Sequence, residues 1–233
     1  MERYYKIQIS LDQLITGVKG GECQIDVMAE PYDYNLYNSV RQITGVSLEL
    51  DFEPNLNVQL VKKGAKITDM MSSQRINSFA GRLFSHRFIE FLTNFNLPKY
   101  KTYLAPMMRQ TTKGNEWYHS HHLFMLIETA NTLIDFKYSE FVLKPIIYDP
   151  TSTCIQVEVG NYEDLQSYLQ PKPYKKGARR IHAKKIVFKP EMKFDMIRLY
   201  QLDGYLVSEH LKNLIEEEGY TGMRFELAEN IIA

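Results

Sequence analysis

The chain has 233 residues, which is long enough to bury a substantial core as one large domain or two small ones. Its 28 basic and 28 acidic side chains cancel, so net charge does not favour nucleic acid or a membrane surface as a partner. Hydrophobic and charged contents of 44% and 24% are ordinary for a soluble globular protein.

The N-terminal residues, the lengths of the apolar runs and the number of cysteines indicate the cellular compartment of the protein. Residues 1–6 lack the apolar region of a signal peptide, and no apolar run approaches the roughly 20 residues that span a bilayer. Cys23 and Cys154 are too few and too far apart for a disulfide framework, which fits a reducing environment. We therefore expect a cytoplasmic protein that has no membrane partner.

The first part of the chain is rich in predicted strands. They lie at 5–9, 23–28, 43–50 and 58–61. A loop over 29–41 contains Tyr32, Tyr34 and Tyr37, which favours a packed or partner-binding loop over a disordered one. Residues 1–68 form either a separate N-terminal segment or the completion of the sheet of residues 69–233.

The C-terminal stretch has the pattern of a strand, a capped helix, a glycine stop and a second strand. Ser208 is a good N-cap, because its hydroxyl can accept a hydrogen bond from a free N–H of the first turn. Apolar residues at 211, 214 and 215 share one helical face. Gly219 can take the left-handed conformation that ends a helix, and Gly222 belongs to the turn before the strand at 223–227.

The same pattern occurs once earlier. Ser85 aligns with Ser208, and the apolar helix positions after each serine also align. The alternative is that any capped amphipathic helix followed by a strand would match. We predict a strand-rich α+β fold with mostly antiparallel sheets, a few short helices and two similar strand–helix–strand units. Further strands are predicted at 100–107, 142–148, 155–159, 186–188 and 196–200, with a helix at 162–169 and a hairpin turn at 203–204.

Candidate catalytic residues are few. His119 and His121 would share one face of a strand and could ligate a metal, but no cysteine or carboxylate lies nearby at ligand spacing. A surface or core role is therefore favoured for these histidines. Asp135 and Ser139 lie near them in sequence, yet no nucleophile elbow, phosphate loop or dinucleotide motif is present. We predict that the protein is not an enzyme and holds no metal or cofactor.

A basic stretch over 172–189 contains no acidic residue. Its cationic side chains, with Tyr174 among them, could contact phosphates, or could steer an acidic protein partner. It could also be a solvated loop that enters a strand. The balanced charge of the whole chain argues against a dedicated nucleic-acid binder.

The closing motif resembles that of a family of bacterial immunity proteins, long catalogued as a domain of unknown function, whose members accompany polymorphic toxins. The residues that carry the resemblance are Tyr205-Leu206-Val207-Ser208, Leu211, Leu214-Ile215-Glu216 and Gly219-Tyr220-Thr221-Gly222-Met223-Arg224-Phe225. Ile134-Asp135 with Ser139-Glu140-Phe141 is similar to the central segment of the family, and Met196-Ile197-Arg198-Leu199 to its penultimate strand. The resemblance covers roughly residues 70–229. The basic insertion at 172–185 departs from the pattern.

The resemblance implies an immunity protein that binds a cognate toxin and blocks the active site or substrate surface of that toxin. It implies structural roles for Ser85, Asp135, Ser139, Ser208, Gly219 and Gly222, and it identifies no residue that contacts a toxin. Because aromatic and arginine side chains dominate interface energies, the candidate contacts are Tyr32, Tyr34, Tyr37, Tyr174, Lys175, Arg179 and Arg180. The alternative function is a nucleic-acid or phosphate-binding module that uses residues 172–189.

Overall fold

Strands predominate in the computed structural model, which describes residues 2–43, 50–76, 81–145, 153–169, 179–199 and 205–232. The first half (4–118) contains β1 (Tyr4–Ile9), α1 (Gln13–Thr16), β2 (Ile25–Met28), β3 (Gln59–Val61), β4 (Met70–Met71), β5 (Arg82–Ser85), α2 (His86–Leu92), β6 (Tyr100–Leu104), β7 (Met107–Thr111) and β8 (Gly114–Tyr118). The second half (121–232) contains β9 (His121–Leu126), β10 (Glu140–Pro145), β11 (Ile155–Val157), α3 (Tyr162–Leu169), β12 (Arg179–Val187), β13 (Met196–Arg198), β14 (Tyr205–Ser208), α4 (Glu209–Glu217), β15 (Met223–Leu227) and β16 (Ile231–Ile232).

These strands form four sheets of four strands each within the described ranges. Their orders are β13-β14-β1-β15, β4-β5-β9-β6, β2-β3-β7-β8 and β11-β10-β12-β16. Pairing is antiparallel except between β3 and β7 and between β12 and β16. The predicted strand-rich α+β class is confirmed. None of the helices that the structure describes is both long enough and apolar enough to cross a membrane.

The two predicted similar units are confirmed, and the similarity extends beyond the helix and its flanking strands. The sheets β13-β14-β1-β15 and β4-β5-β9-β6 have the same pairing register. Equivalent cross-strand pairs are Ser208–Tyr4 with Ser85–His121, and Met223–Ile9 with Tyr100–Leu126. The parallel pairs are equivalent too, since Leu60 lies opposite Met108 and Ile186 opposite Ile231. The chain is therefore built from two structurally similar halves.

Each half gives its first strand to the other half. Strand β1 lies between β14 and β15 of the second half, and β9 lies between β5 and β6 of the first half. Strand β3 also pairs with β7, so strands on both sides of residue 69 share sheets. A buried cluster that includes Phe84, Phe88, Leu211 and Ile215 joins helices α2 and α4 to these exchanged sheets.

Two aspartates, buried Asp69 and half-buried Asp195, connect the halves reciprocally. Asp69 in the first half accepts hydrogen bonds from the backbone N–H and the hydroxyl of Thr221 in the second half, at 2.9 and 3.2 Å. Asp195 in the second half accepts one from the backbone N–H of Asn96 in the first half, at 3.0 Å. These contacts hold each loop that follows a capped helix against the opposite half.

Asp69 also has an arginine partner, Arg87, for which Asp195 has no counterpart among the described residues. Arg87 donates to both carboxylate oxygens of Asp69, at 2.7 and 2.8 Å, and Ser85 donates to one of them at 2.7 Å. Burial alone would raise the pKa of this carboxyl group, but the hydrogen bonds from Arg87, Thr221 and Ser85 outweigh burial and lower the pKa to about 2. Asp69 is therefore a buried anion stabilised by residues of both halves.

Both predicted helix caps are confirmed. The hydroxyl of Ser85 accepts from the N–H of Phe88 at 3.2 Å, and that of Ser208 accepts from the N–H of Leu211 at 3.1 Å. Each hydroxyl also donates to an aspartate, Ser85 to Asp69 and Ser208 to Asp195. The two caps are thus equivalent in both their accepted and their donated hydrogen bonds.

Removing either cap is expected to lower the free energy of unfolding by about 2 kcal/mol, because both hydrogen bonds of the serine are lost. Ser85→Ala and Ser208→Ala should show this loss in urea unfolding. Ser167→Ala is the matched control, since the hydroxyl of exposed Ser167 donates only to a carbonyl within α3. Losses no larger than that of the control would show that the caps contribute little.

Several predicted strand bounds are wrong. The strand predicted at 100–107 is divided, because Ala105 continues β6 by donating to His121 while Pro106 has no N–H to donate. The chain then enters β7 in another sheet. Residues 44–49 and 146–148 of two further predicted strands, and the predicted hairpin turn at 203–204, lie outside the described residues.

Candidate protein-interaction surface

The tyrosine-rich loop that follows β2 is held in place by its own polar groups. The hydroxyl of Tyr32 donates to the carbonyl of Asn55 at 2.7 Å and accepts from the N–H of Val40 at 2.9 Å. The hydroxyl of Ser39 donates to the carbonyl of Tyr34 at 2.7 Å. These bonds fix the direction of the loop and, with it, the positions of Tyr32 and Tyr34.

Tyr34 lies within a stack of cations and aromatic rings. Its ring meets that of Tyr32 edge to face, with centroids 4.6 Å apart. The guanidinium carbons of Arg41 and Arg75 each lie 5.4 Å from the centroid of the Tyr34 ring. Both arginines are exposed, and neither forms an ion pair with any residue that the structure describes. Two exposed cations therefore lie beside one tyrosine.

A groove of about 510 Å³ lies beside this stack. Its lining residues are Val27, Met28, Ala29, Glu30, Tyr32, Tyr34, Leu60, Arg75, Met108 and Gln110. Val27, Leu60 and Met108 are opposite one another on β2, β3 and β7, so they form an apolar row across the sheet. Trp117 on β8 extends the row, and its side chain is 51% exposed.

The three tyrosines proposed from sequence do not have the same role. Tyr32 and Tyr34 line the groove, and the hydroxyl of Tyr32 is already engaged within the loop. Tyr37 is 75% exposed and lies with its ring 6.4 Å from that of Phe52, outside the groove lining. Tyr37 is thus the most exposed of the three, whereas half-buried Tyr34 is the one that contacts the two exposed arginines.

The basic stretch is not a loop where the structure describes it. Arg179 and Arg180 begin strand β12, and Tyr174 and Lys175 lie outside the described residues. The guanidinium of Arg179 donates to the carbonyl of Thr153 at 2.6 Å, so this arginine is engaged within the fold. Arg180 is exposed. Strand β12 belongs to a different sheet from the groove strands, and neither Arg179 nor Arg180 lines the groove.

The histidines near the β8–β9 turn have separate environments. His121 is buried, and its Nε2 lies 2.8 Å from the carbonyl oxygen of Thr68. Burial lowers the pKa of His121, against the opposing effect of that hydrogen bond. His119 is exposed and stacks on Trp117, with centroids 5.9 Å apart. Among the described residues, no three side chains of metal-ligating type are grouped.

Asp135 and Ser139 stabilise a turn. The hydroxyl of Ser139 donates to the backbone carbonyl of Asp135 at 2.7 Å and accepts from the N–H of Val187 at 2.9 Å. The carboxylate of Asp135 accepts from the backbone N–H of Lys137 at 3.2 Å. Both residues therefore have a structural role, in the turn that precedes β10 and in its contact with β12.

Arg41, Arg75 and the apolar row were missed from sequence. Arg75 is distant from Tyr34 along the chain, and only the fold brings the two together. Arg41 lies seven positions after Tyr34 in the same loop, so the aromatic and cationic composition of the loop was an available signal. A scan against protein-family models and a search of curated proteins found no match for the chain.

Proposed function

We propose that the protein is a cytoplasmic bacterial immunity protein that binds a cognate toxin domain and blocks its active site or substrate surface. The observation that carries the proposal is that two exposed arginines, Arg41 and Arg75, stack on half-buried Tyr34 beside a groove, because aromatic and arginine side chains supply most of the binding energy at protein interfaces. The closing motif, from Tyr205 to Phe225, supports the immunity class by its resemblance to that family.

The proposed mechanism is steric and electrostatic occlusion. The exchanged strands and the cross-half contacts of Asp69 and Asp195 make a scaffold whose two halves are tied together. A surface on such a scaffold loses little conformational entropy on binding, so more of the interaction energy contributes to affinity. The protein would act in a one-to-one complex, without a cofactor and without turnover.

The test is co-expression with the toxin domain encoded by the adjacent gene. We expect the chain to restore growth of cells that express that domain, and the two proteins to purify as a one-to-one complex. Titration of the toxin with the purified chain should remove its activity in proportion, with full loss at equimolar concentration. If the adjacent gene encodes no toxic domain, or if neither rescue nor a complex is found, the proposed function is wrong.

A further inference from the structure

We infer that the turn after β1 inserts its exposed side chains Leu11, Leu14 and Ile15 into an apolar pocket of the toxin whose rim is acidic. We call these three side chains the apolar tip. This inference rests on the proposed function and names a surface that would perform it. The occupant follows from the exposure of the tip, its fixed backbone and the charge around it.

The apolar tip is open to solvent. Leu14 is 80% exposed, Leu11 52% and Ile15 36%. Leu14 and Ile15 lie on the single turn of α1, and Leu11 directly precedes its N-cap residue, Asp12. Three aliphatic side chains are thus exposed together on one short turn. A partner that covers them would remove their apolar surfaces from water in one contact.

The equivalent turn of the second half shows that the fold does not require these aliphatic residues. The equivalence of β1 and β9, continued along the chain, makes Glu128, Asn131 and Thr132 the counterparts of the three tip residues in that order. Asn131 is 1% exposed, against 80% for Leu14. The second half therefore encloses a position that the first half leaves open. A partner bound to the tip would supply that enclosure.

The backbone of the tip is fixed, and the same contacts fix the equivalent turn. In both halves the cap side chain accepts from the N–H two positions ahead, in the pairs Asp12–Leu14 and Thr129–Asn131, at 2.8 and 3.2 Å. In both halves the carbonyl at the end of the turn accepts from a later backbone N–H, in the pairs Thr16–Lys66 and Leu133–Lys189, at 2.8 and 2.9 Å. The tip therefore has a defined shape, and its backbone adds little ordering cost when it enters a pocket of matching shape.

The surface around the tip carries excess positive charge, although the whole chain is neutral. The loop at 62–66 lies against the turn, since the ammonium group of Lys66 donates to the carbonyl of Leu14 at 2.7 Å. Residues 11–22 and 62–66 together contain four lysines and two carboxylates. The tip is therefore surrounded by a locally cationic surface.

Two of these lysines are not paired with a carboxylate. Lys62 is paired with Glu22 at 3.3 Å. Lys19 and Lys63 are exposed, and neither forms an ion pair within the ranges that the structure describes. An apolar pocket with carboxylates at its rim would complement the tip and these two cations together.

The composition of the turn favours a protein pocket over a nucleic acid or a bilayer. A phosphate backbone would meet the lysines but would gain nothing from three aliphatic side chains. A bilayer would have to admit Asp12 and Gln13, which are exposed on the same turn, and a carboxylate is costly to bury in the acyl layer. A protein pocket can leave both polar groups at its rim.

The experiment measures binding of the adjacent gene's toxin domain, with its activity disabled by mutation, by calorimetry. The variant Leu14→Asn with Ile15→Thr gives the tip two residues of the equivalent turn and should weaken binding about tenfold or more. The matched control, Leu104→Asn with Ile155→Thr, makes the same two changes at positions that are 53% and 46% exposed on β6 and β11. It should stay within twofold of wild type.

A second pair of variants tests the charge around the tip. Lys19→Glu with Lys63→Glu should weaken binding about fivefold or more at low salt, and the loss should shrink at high salt because salt screens exposed charges. Lys137→Glu with Lys193→Glu changes the net charge equally at two exposed positions of the second half. This control should bind within twofold of wild type at both salt concentrations.

The outcomes separate the tip from the general function. If wild type binds and rescues while the tip variant binds within twofold of it, or if the control at Leu104 and Ile155 loses as much, the tip is not the site and the immunity function stands. If wild type neither binds nor rescues, the proposed function fails and the inference fails with it. Capture of wild type, but not of the tip variant, by vesicles of equal parts phosphatidylglycerol and phosphatidylcholine would overturn the protein occupant. Unchanged thermal unfolding of the variants establishes that they fold.

Discussion

Replacing Gly222 by alanine is expected to lower the free energy of unfolding by about 4 kcal/mol or more. Gly222 has φ of 88°, in the left-handed region. A Cβ there would collide with the carbonyl oxygen of Met70 and lie 2.5 Å from Oγ1 of Thr68. Thr68 cannot easily retreat, because its hydroxyl donates to Met70 and accepts from Gln24. The substitution would therefore separate the two halves where they meet.

Gly219→Ala is the matched control for this prediction. Gly219 also has a positive φ, of 69°, but nothing lies within 4 Å of its Cβ position. Only backbone strain is added, so we expect a loss of about 1 kcal/mol. Urea unfolding of both variants measures the difference. If both variants lost only about 1 kcal/mol of unfolding free energy, the interface between the halves would be able to rearrange around the added methyl group, and the prediction would be wrong.

Replacing Asp69 by asparagine is expected to cost about 3 kcal/mol, because a buried anion with several charge-assisted hydrogen bonds is removed. The amide group would also present N–H donors to the N–H of Thr221 or to Arg87. Asp195→Asn provides the control, since Asp195 makes equivalent bonds to Ser208 and Asn96 but none to an arginine. We expect that variant to lose about half as much.

The pH dependence of stability gives an independent measurement on Asp69. Its pKa in the folded protein is about 2, below the ordinary value of 3.8. The stabilisation is therefore fully present above about pH 4 and is lost as pH falls toward 2, by about 2 kcal/mol in total. Wild type should lose stability over this range more steeply than Asp69→Asn. Parallel pH profiles for the two proteins would contradict the assignment.

The features predicted correctly from sequence are those that depend on neighbouring residues. Ser85 and Ser208 cap helices through bonds to N–H groups three positions ahead. The left-handed conformation of Gly219 likewise depends on the end of its own helix. All the residues that determine such a feature lie within a few positions of one another in the sequence.

The features that sequence did not predict depend on contacts across the whole chain. The alternation of apolar and polar residues in β1 is the same whether its partner strands are near or distant in sequence. It therefore does not indicate that β1 lies between β14 and β15. The stack on Tyr34 needs Arg75, which the sheet brings across from beyond β4. Pro106 indicated that the strand predicted at 100–107 would be divided. The prediction rested on the spacing of apolar residues, which does not take account of a proline.

The exchange of first strands has a consequence for synthesis on the ribosome. The partners of strand β1 begin at Tyr205, so about 200 residues must be made after β1 before its place in the sheet exists. At roughly 5–20 residues per second, this takes about 10–40 s. Through that interval the apolar face of β1 is without its sheet, and the nascent chain must protect a strand edge from pairing elsewhere. Strand β1 is therefore made well before β14 and β15 but can take its place only with them.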